Sequence, residues 1–387
     1  MRAKYELHLY SNTGVYLKTV TKKSTRVEYN PHVNDRGEFR LSFSSQLTPE
    51  QLASFQLNGR VAVWRKATSF ETAKLEFVGF VRHPHYKTDD RGITRFWIRG
   101  WDQNDLLYTR CCRAWLSTWH PFEDGYIDTV MRKLVEDNLG AGNSNPSTRD
   151  IATSNTAGLT FAVESSATAT ACTTAGQISY EHGVKNLLEA LQELAKTSEK
   201  FKQIDVGTAA VRVFFGICTD TDTSWTFRVR ATRWGMNHRA DSGQPVYIGM
   251  SYGNLRLPEW EHDRMHEITA AVGIYFDRDY SLEGWATDDK RIGEAPLNRR
   301  EASASASDGQ QMAVASALVT EGEIKERFRG FISDTAGCRY GVHWGLGDEV
   351  SIDHLDRQFN VMVTGIRIEC ERGRERIEPT WEVIEDE

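Results

Sequence analysis

The feature that most constrains this chain is a two-residue alternation of polar and apolar side chains over residues 1–115. Only a β-strand with one buried face satisfies that period. Tyr5–Tyr10 (YELHLY) and Glu38–Phe43 (EFRLSF) alternate most regularly, and Val15–Val20, Arg26–Tyr29, Arg60–Arg65, Leu75–Val81 and Thr94–Arg99 continue the pattern. Turn-forming residues separate them at Ser11–Gly14, Asn34–Gly37 and Asp89–Gly92, the last closing a hairpin. Strands this short, spaced by about 8–15 residues, indicate a small barrel or sandwich. The one helical segment here is Thr48–Phe55, with Thr48 as N-cap and Pro49 in the first helical position.

The period then changes. Ile127, Val130, Met131, Leu134 and Val135 fall on one helical face, with Asp124 available as a cap and Gly140 as a stop. A second helix is expected over 183–197, with Val184, Leu187, Leu188, Leu191 and Leu194 on its apolar face. Between them, residues 141–180 are rich in Ser, Thr, Ala, Asn and Gly and read as a long loop around a short strand at Leu159–Val163. A loop of that length is functional or disordered. Strands return at Ala210–Phe215 and Trp225–Arg230, then over Leu255–Phe276 and at Gly284–Ala286. A helix at about 308–321 leads into Glu323–Ile332, and the chain ends in strands at Glu349–Ile352, Gln358–Thr364, Ile366–Cys370 and Arg376–Ile384. The reading is a β-rich α+β chain in three parts: 1–115, 116–240 carrying the long loop, and 241–387 with the 308–321 helix inserted. Phe77–Val81 (FVGFV) is echoed by Phe328–Ile332 (FRGFI), where the glycine permits a bend or a close approach.

A net charge of −7 argues against a dedicated nucleic-acid binder, which carries a basic surplus. It is compatible with a protein that DNA merely passes, because an acidic pore does not retain DNA. No run approaches the ~18 apolar residues of a membrane span, and the N-terminus lacks an apolar signal core. Neither membrane spanning nor ordinary secretion is expected. The six cysteines, Cys111, Cys112, Cys172, Cys218, Cys338 and Cys370, form no CxxC and suit neither a zinc site nor a disulfide framework. They read as reduced thiols of a protein folded in the cytosol.

No GxSxG, P-loop, GxGxxG or HExxH motif is present. His262 and His266 stand four residues apart beside Glu267, with His238 upstream, but the flanking sequence reads as strand or loop where a metal motif needs a helix. His83 and His85 share a face of an extended chain without a third ligand nearby. Asp220 and Asp222 offer a carboxylate pair for Ca²⁺ or for glycoside hydrolysis, though Asx and Thr residues make such turns on their own account. Trp97, Trp101, Trp115 and Trp119 are stacking platforms if exposed and core residues if buried. Arg95–Trp101 interleaves basic and aromatic residues, and Glu371–Arg376 mixes charge signs in a hairpin turn. No catalytic, cofactor-binding or metal-binding residue is assigned.

Several segments, in order, resemble the tail-hub and baseplate-hub proteins of long-tailed bacteriophages. Leu7–Tyr10, Gly14, Val61–Arg65 and Glu76–Phe80 resemble the opening barrel. Gly100–Leu107 (GWDQNDLL) with Arg110 resembles the strand exit, where Arg110–Arg113 (RCCR) replaces the family's paired arginines. Asn186–Leu194 resembles the central helix, Tyr252–Leu255 the G-N-L element, Leu346–Ile352 the L-G-D-x-V strand start, and Val363–Glu369 with Glu378–Pro379 the last hairpin. The resemblance spans nearly the whole chain and is to the hubs of contractile tails and type VI secretion spikes. It implies two tail-tube-like β-barrel domains per subunit, with the α+β segments outside the ring. It further implies a homotrimer at the distal end of the tail tube, adapting sixfold to threefold symmetry around the DNA exit channel. The implied partners are the tail tube protein, the distal tail protein and a tail-tip, fibre or tape-measure protein. The location is the virion after assembly in the host cytoplasm, and no cofactor is implied. Two other readings stand beside it: a carbohydrate-binding tail-tip adhesin resting on the tryptophans, and a cell-wall or capsule hydrolase resting on Asp220 and Asp222.

Overall fold

The computed structural model describes residues 4–21, 24–43, 47–66, 72–88, 90, 94–112, 122–140, 158–165, 178–181, 185–204, 212–277, 280–295, 297–306, 309, 311–322, 325–371 and 373–384. The N-terminal elements are β1 (Lys4–Tyr10), β2 (Tyr16–Thr21), β3 (Ser24–Asn30), β4 (Glu38–Phe43), α1 (Pro49–Ala53), β5 (Arg60–Lys66), β6 (Lys74–Thr88), β7 (Thr94–Asp102) and α2 (Asp105–Tyr108). The middle contains β8 (Phe122–Gly125), α3 (Ile127–Leu139), β9 (Thr160–Val163), β10 (Ile178–Glu181), α4 (Leu187–Ile204), β11 (Val213–Thr219) and β12 (Ser224–Ala231). There follow β13 (Asn237–His238), β14 (Tyr247–Gly249), β15 (Leu255–Asp263), β16 (Ala270–Phe276), β17 (Ser281–Thr287), α5 (Asp289–Glu294), β18 (Glu301–Ser305), α6 (Gln311–Glu321), β19 (Lys325–Ile332), β20 (Glu349–His354), β21 (Arg357–Glu371) and β22 (Arg374–Val383). With 52% strand and 17% helix, this is a β-rich α+β chain.

Two compact units are present, residues 1–258 with 330–387, and residues 259–329. A 14-stranded sheet has the main path β15-β19-β22-β21-β3-β4-β7-β6-β5-β1-β2, and all of it but parts of β15 and β19 falls in the first unit. The alternation seen in sequence fixes which side chains go inward. Phe39, Leu41 and Phe43 of β4 stand opposite Gly100, Ile98 and Phe96 of β7, and the bulky members of both rows are buried. Each such side chain removed from water contributes about 1.5–3 kcal/mol. The polar residues between them point to the other face. Strands from the two ends of the chain meet where β3 pairs with β21, Tyr29 opposite Ile368. The N-terminal and C-terminal β-regions therefore share one sheet, and no closed barrel is found among the described residues.

Thr48 caps α1 in a reciprocal box with Gln51, and Pro49 opens the helix. The predicted stripe Ile127, Val130, Met131, Leu134 and Val135 is the buried face of α3. Asp124 does not cap that helix: it lies in β8, and Tyr126 occupies the cap position. The second helix starts later than expected because the Asn186 side chain accepts the amides of Leu188 and Glu189. Its leucines join α3 and the sheet β11-β12-β9 in one core around Phe215, Trp225 and Phe227. Most of the loop 141–180 lies outside the described residues; Thr160–Val163 within it is β9, parallel to β12. No helix among the described residues is long and apolar enough to cross a membrane.

The second unit is a three-stranded sheet, β17-β16-β18, with α6 packed on one face. Gly273 and Gly284 lie opposite each other where the helix begins. A Cβ on Gly273 would stand 2.1 Å from the Gln311 carbonyl oxygen, so the close approach requires glycine. Ala271, Ala315 and Val319 fill the remainder of the contact.

Candidate functional site

The segments that carry the family resemblance hold turns together from inside. Where β7 turns into α2, the Asp102 carboxylate is buried and accepts the Asn104 amide at 3.0 Å. Burial pushes its carboxyl well above the usual range. Asp105 accepts Arg82 at 2.6 and 3.0 Å and Arg36 at 3.4 Å. The Arg36 guanidinium also lies over the rings of Trp101 and Tyr108, at 3.9 and 3.6 Å. In the G-N-L element, Asn254 accepts the Gly249 amide at 2.9 Å and donates to the Tyr247 carbonyl at 2.8 Å. In the L-G-D-x-V element, Asp348 accepts the amides of Met236 and Gly345 at 2.6 and 2.7 Å, and burial raises its carboxyl too. These buried polar groups are satisfied by amides of their turns, by the Met236 amide and by the Arg36 and Arg82 guanidiniums, which makes them structural.

The outward face of β22, β21, β3, β4, β7 and β6 is a surface of a different kind. One row of cross-strand neighbours reads Arg376, Glu369, Glu28, Arg40, Arg99, His83. Glu28 takes Arg26 at 2.8 Å and Arg367 at 2.5 Å, and Arg26 reaches Glu369 at 3.1 Å. Among the described residues no carboxylate lies within ion-pair distance of Arg40 or Arg99. A cleft of about 240 Å³ opens over this part of the face, lined by Arg26, Glu28, Glu38, Arg40, Arg99 and Arg367. Its chemistry is that of anion recognition by guanidinium forks. In sequence only the Arg95–Trp101 interleave of basic and aromatic residues stood out, not its pairing with Arg40. The available signal was the spacing of Arg95, Trp97 and Arg99 on the polar face of one strand, together with Arg40 on another.

A second ionic cluster is internal. The Arg65 guanidinium meets Glu375 at 2.8 Å, with Glu76 and Asp334 each at 3.9 Å. The Tyr5 hydroxyl donates to Glu375. A cavity of about 10 Å³ beside Arg65 and Tyr340 has room for about one water.

The residues considered for chemistry do not converge. His262 pairs with Glu326 at 2.7 Å, Glu267 is buried under Arg264, and His266 is exposed. His238 bonds the Gln244 carbonyl through Nδ1 at 2.8 Å. His85 stacks on Trp97 at 4.2 Å, with His83 edge-on to His85. No metal-competent group of His, Cys, Asp or Glu occurs among the described residues. Asp220 accepts Arg228 and Thr226, both at 2.6 Å, and Asp222 accepts the Tyr10 hydroxyl, as turn carboxylates do. Trp115, Trp119, Arg113 and Cys172 lie outside the described residues, and the other five cysteines form no disulfide.

The family described as Siphovirus ReqiPepy6 Gp37-like protein matches residues 6–381 of this chain. A tail protein of prophage MuSo2 from Shewanella oneidensis, of 43 kDa, has the same fold at a TM-score of 0.61 and 10% identity, covering 99% of this chain and 98% of that chain. The tail protein from Neisseria meningitidis MC58 has a TM-score of 0.54 and 13% identity, covering 99% and 97%. No protein of curated function matches the sequence.

Proposed function

The chain belongs to the Siphovirus ReqiPepy6 Gp37-like family, and we propose that it is a structural tail protein, the trimeric hub at the distal end of the tail tube. In this reading residues 1–115 and 241–387 supply the two tube-like barrel regions of each subunit, completed in the ring, and 116–240 lies at the periphery. Three subunits then offer six similar faces to a sixfold tube and threefold symmetry to the tip. Its partners are the tube protein, the distal tail protein and a tip, fibre or tape-measure protein, and DNA passes through the lumen without sequence-specific contact.

The observation that carries the reading is the end-to-end fold match, 99% of this chain against 97–98% of two tail proteins. The engagement of Asp220 by Arg228, and of Asp222 by Tyr10, favours a structural role over a hydrolase. The stacking of His85 on Trp97 likewise favours it over a sugar platform at that ring. Cryo-electron microscopy of assembled particles tests it. Three copies capping the tube, each contributing two barrel regions, are expected. Another copy number, or a position at a fibre tip, overturns the hub and makes sugar binding the next assay.

A further inference from the structure

Like charges placed directly opposite destabilise a sheet. Arg40 and Arg99 stand opposite each other on β4 and β7, and the next neighbour beyond Arg99 is His83. The outward pairs farther along that ribbon are His85 with Trp97 and Lys87 with Arg95, again without a carboxylate. This cationic run belongs to a chain whose net charge is −7. The nearest acidic neighbour in the row, Glu28, is already taken by Arg26 and Arg367. Arg40 Nε is buried and has no acceptor. A fold that keeps such a repulsive pair over a cleft of about 240 Å³ has left room for a counter-charge from outside.

We propose that this cleft binds an acidic side chain of a neighbouring protein subunit, its carboxylate seated between Arg40 and Arg99. Guanidinium forks match a carboxylate with paired hydrogen bonds, which a sphere of water does not replace. At about 240 Å³ the cleft is large enough for one side chain and its approach. A nucleic acid fits less well. Duplex DNA carries one charge per ~1.7 Å of axis, and Glu28 and Glu38 line the same cleft. A single carboxylate avoids them. The inference rests on the tail-protein reading only in placing that acidic partner in the tail.

The test uses the full chain and a fluorescent peptide of alternating Glu and Ser, followed by anisotropy across a salt series. Binding that weakens with salt is expected, and Kd should rise at least about tenfold in the double variant R40Q/R99Q. E28Q removes a carboxylate that lines the cleft and releases Arg367, while Arg26 keeps Glu369, and should tighten binding. R40Q/R99Q removes a repulsion, so its thermal midpoint should be unchanged or higher, which separates lost binding from lost folding. The proposal is overturned if the native chain does not bind the peptide, or binds it equally without the two arginines. It is also overturned if a DNA duplex of equal charge binds more tightly through them. A particle showing the chain at a fibre tip would end the hub reading and leave this binding result standing.

Discussion

Arg65 and Glu375 are 310 positions apart in sequence and form a two-bond pair, Nε and Nη2 each 2.8 Å from a carboxylate oxygen. The Arg65 side chain is 2% exposed. It ties β5 to β22, elements from opposite ends of the chain. Glu76 and Asp334 crowd the same guanidinium, and burial raises both carboxyls. Removing one partner of a buried pair leaves the other charge uncompensated, at about 3–5 kcal/mol. Arg65→Met should therefore lower stability by that order in urea unfolding. The double variant R65M/E375L should recover part of the loss, because apolar packing often replaces such a pair without cost while Glu76 and Asp334 still lose their guanidinium. An R65M midpoint equal to that of the native chain would show that the pair does not hold the two ends together.

Asp102 predicts a pH dependence with a definite sign. Its folded-state pKa lies well above the model-peptide value of 3.8, chiefly because burial penalises the carboxylate. The folded chain thus holds this proton more tightly than the unfolded chain. Stability contributed here is fully present below the unfolded value and falls as pH rises through the folded one. Asp348 acts in the same direction. His32 acts in the opposite direction near neutrality: burial lowers its pKa, so stability is lost as pH falls below the unfolded value of 6.5. Asp102→Asn keeps an acceptor for the Asn104 amide and removes the titration. Urea midpoints between about pH 4 and pH 7 should decline less steeply with rising pH in D102N than in the native chain. Identical slopes would mean that Asp102 ionises alike in both states.

The elements legible in sequence were those whose period is set by burial on one face. The stripe of α3 and the alternation of β4 and β7 needed only a core on one side, and both are present. What escaped was decided by distant partners. Nothing local marks Tyr29 as the residue that meets Ile368, so the union of the two terminal β-regions was invisible. Nor does Arg65 look different from an exposed strand arginine until Glu375 is placed beside it. The candidate cleft was hidden for the same reason, since Arg40 and Arg99 become a pair only through strand register. The motifs behind the family resemblance were legible, and part of their cause is local: Asp102, Asn254 and Asp348 each bond an amide within a few residues, while Asp348 also takes the distant Met236 amide.

Gly347 tests the L-G-D-x-V element directly. Its φ is +82°, and a Cβ there would lie 2.4–2.8 Å from atoms of the Trp234 side chain. Gly347→Ala combines left-handed backbone strain, about 1–3 kcal/mol, with overpacking of similar size. The expected result is a marked fall in thermal midpoint, relieved in part by G347A/W234A, which removes the Cγ and Cδ1 contacts and leaves only the Cβ one. If the two variants melt together, the ring contact is not the cause. Gly243→Ala is the control, because nothing lies within 4 Å of its Cβ position.

Asn34 and Asn104 complete the free edge of β11, which pairs with β12 on its other side. Phe215 exchanges two bonds with Asn34: its amide donates to Asn34 Oδ1 at 2.6 Å, and its carbonyl accepts the Asn34 amide at 3.2 Å. Ile217 donates to Asn104 Oδ1 at 2.8 Å and accepts from Gln103 Nε2 at 2.8 Å. Asparagine suits position 34 because its φ is +60°, a conformation it tolerates better than most residues. Two turns leaving β3 and β7 thus substitute for a missing strand and anchor the helical layer to the large sheet. Asn104→Ala strands the buried Ile217 amide, at a cost of about 1–3 kcal/mol. Hydrogen exchange should show the Ile217 amide losing protection in N104A, while the Phe215 amide, held by Asn34, keeps most of its own. Uniform loss along β11 would mean that the edge opens as one piece, and unchanged protection at Ile217 would show that the Asn104 bond contributes nothing.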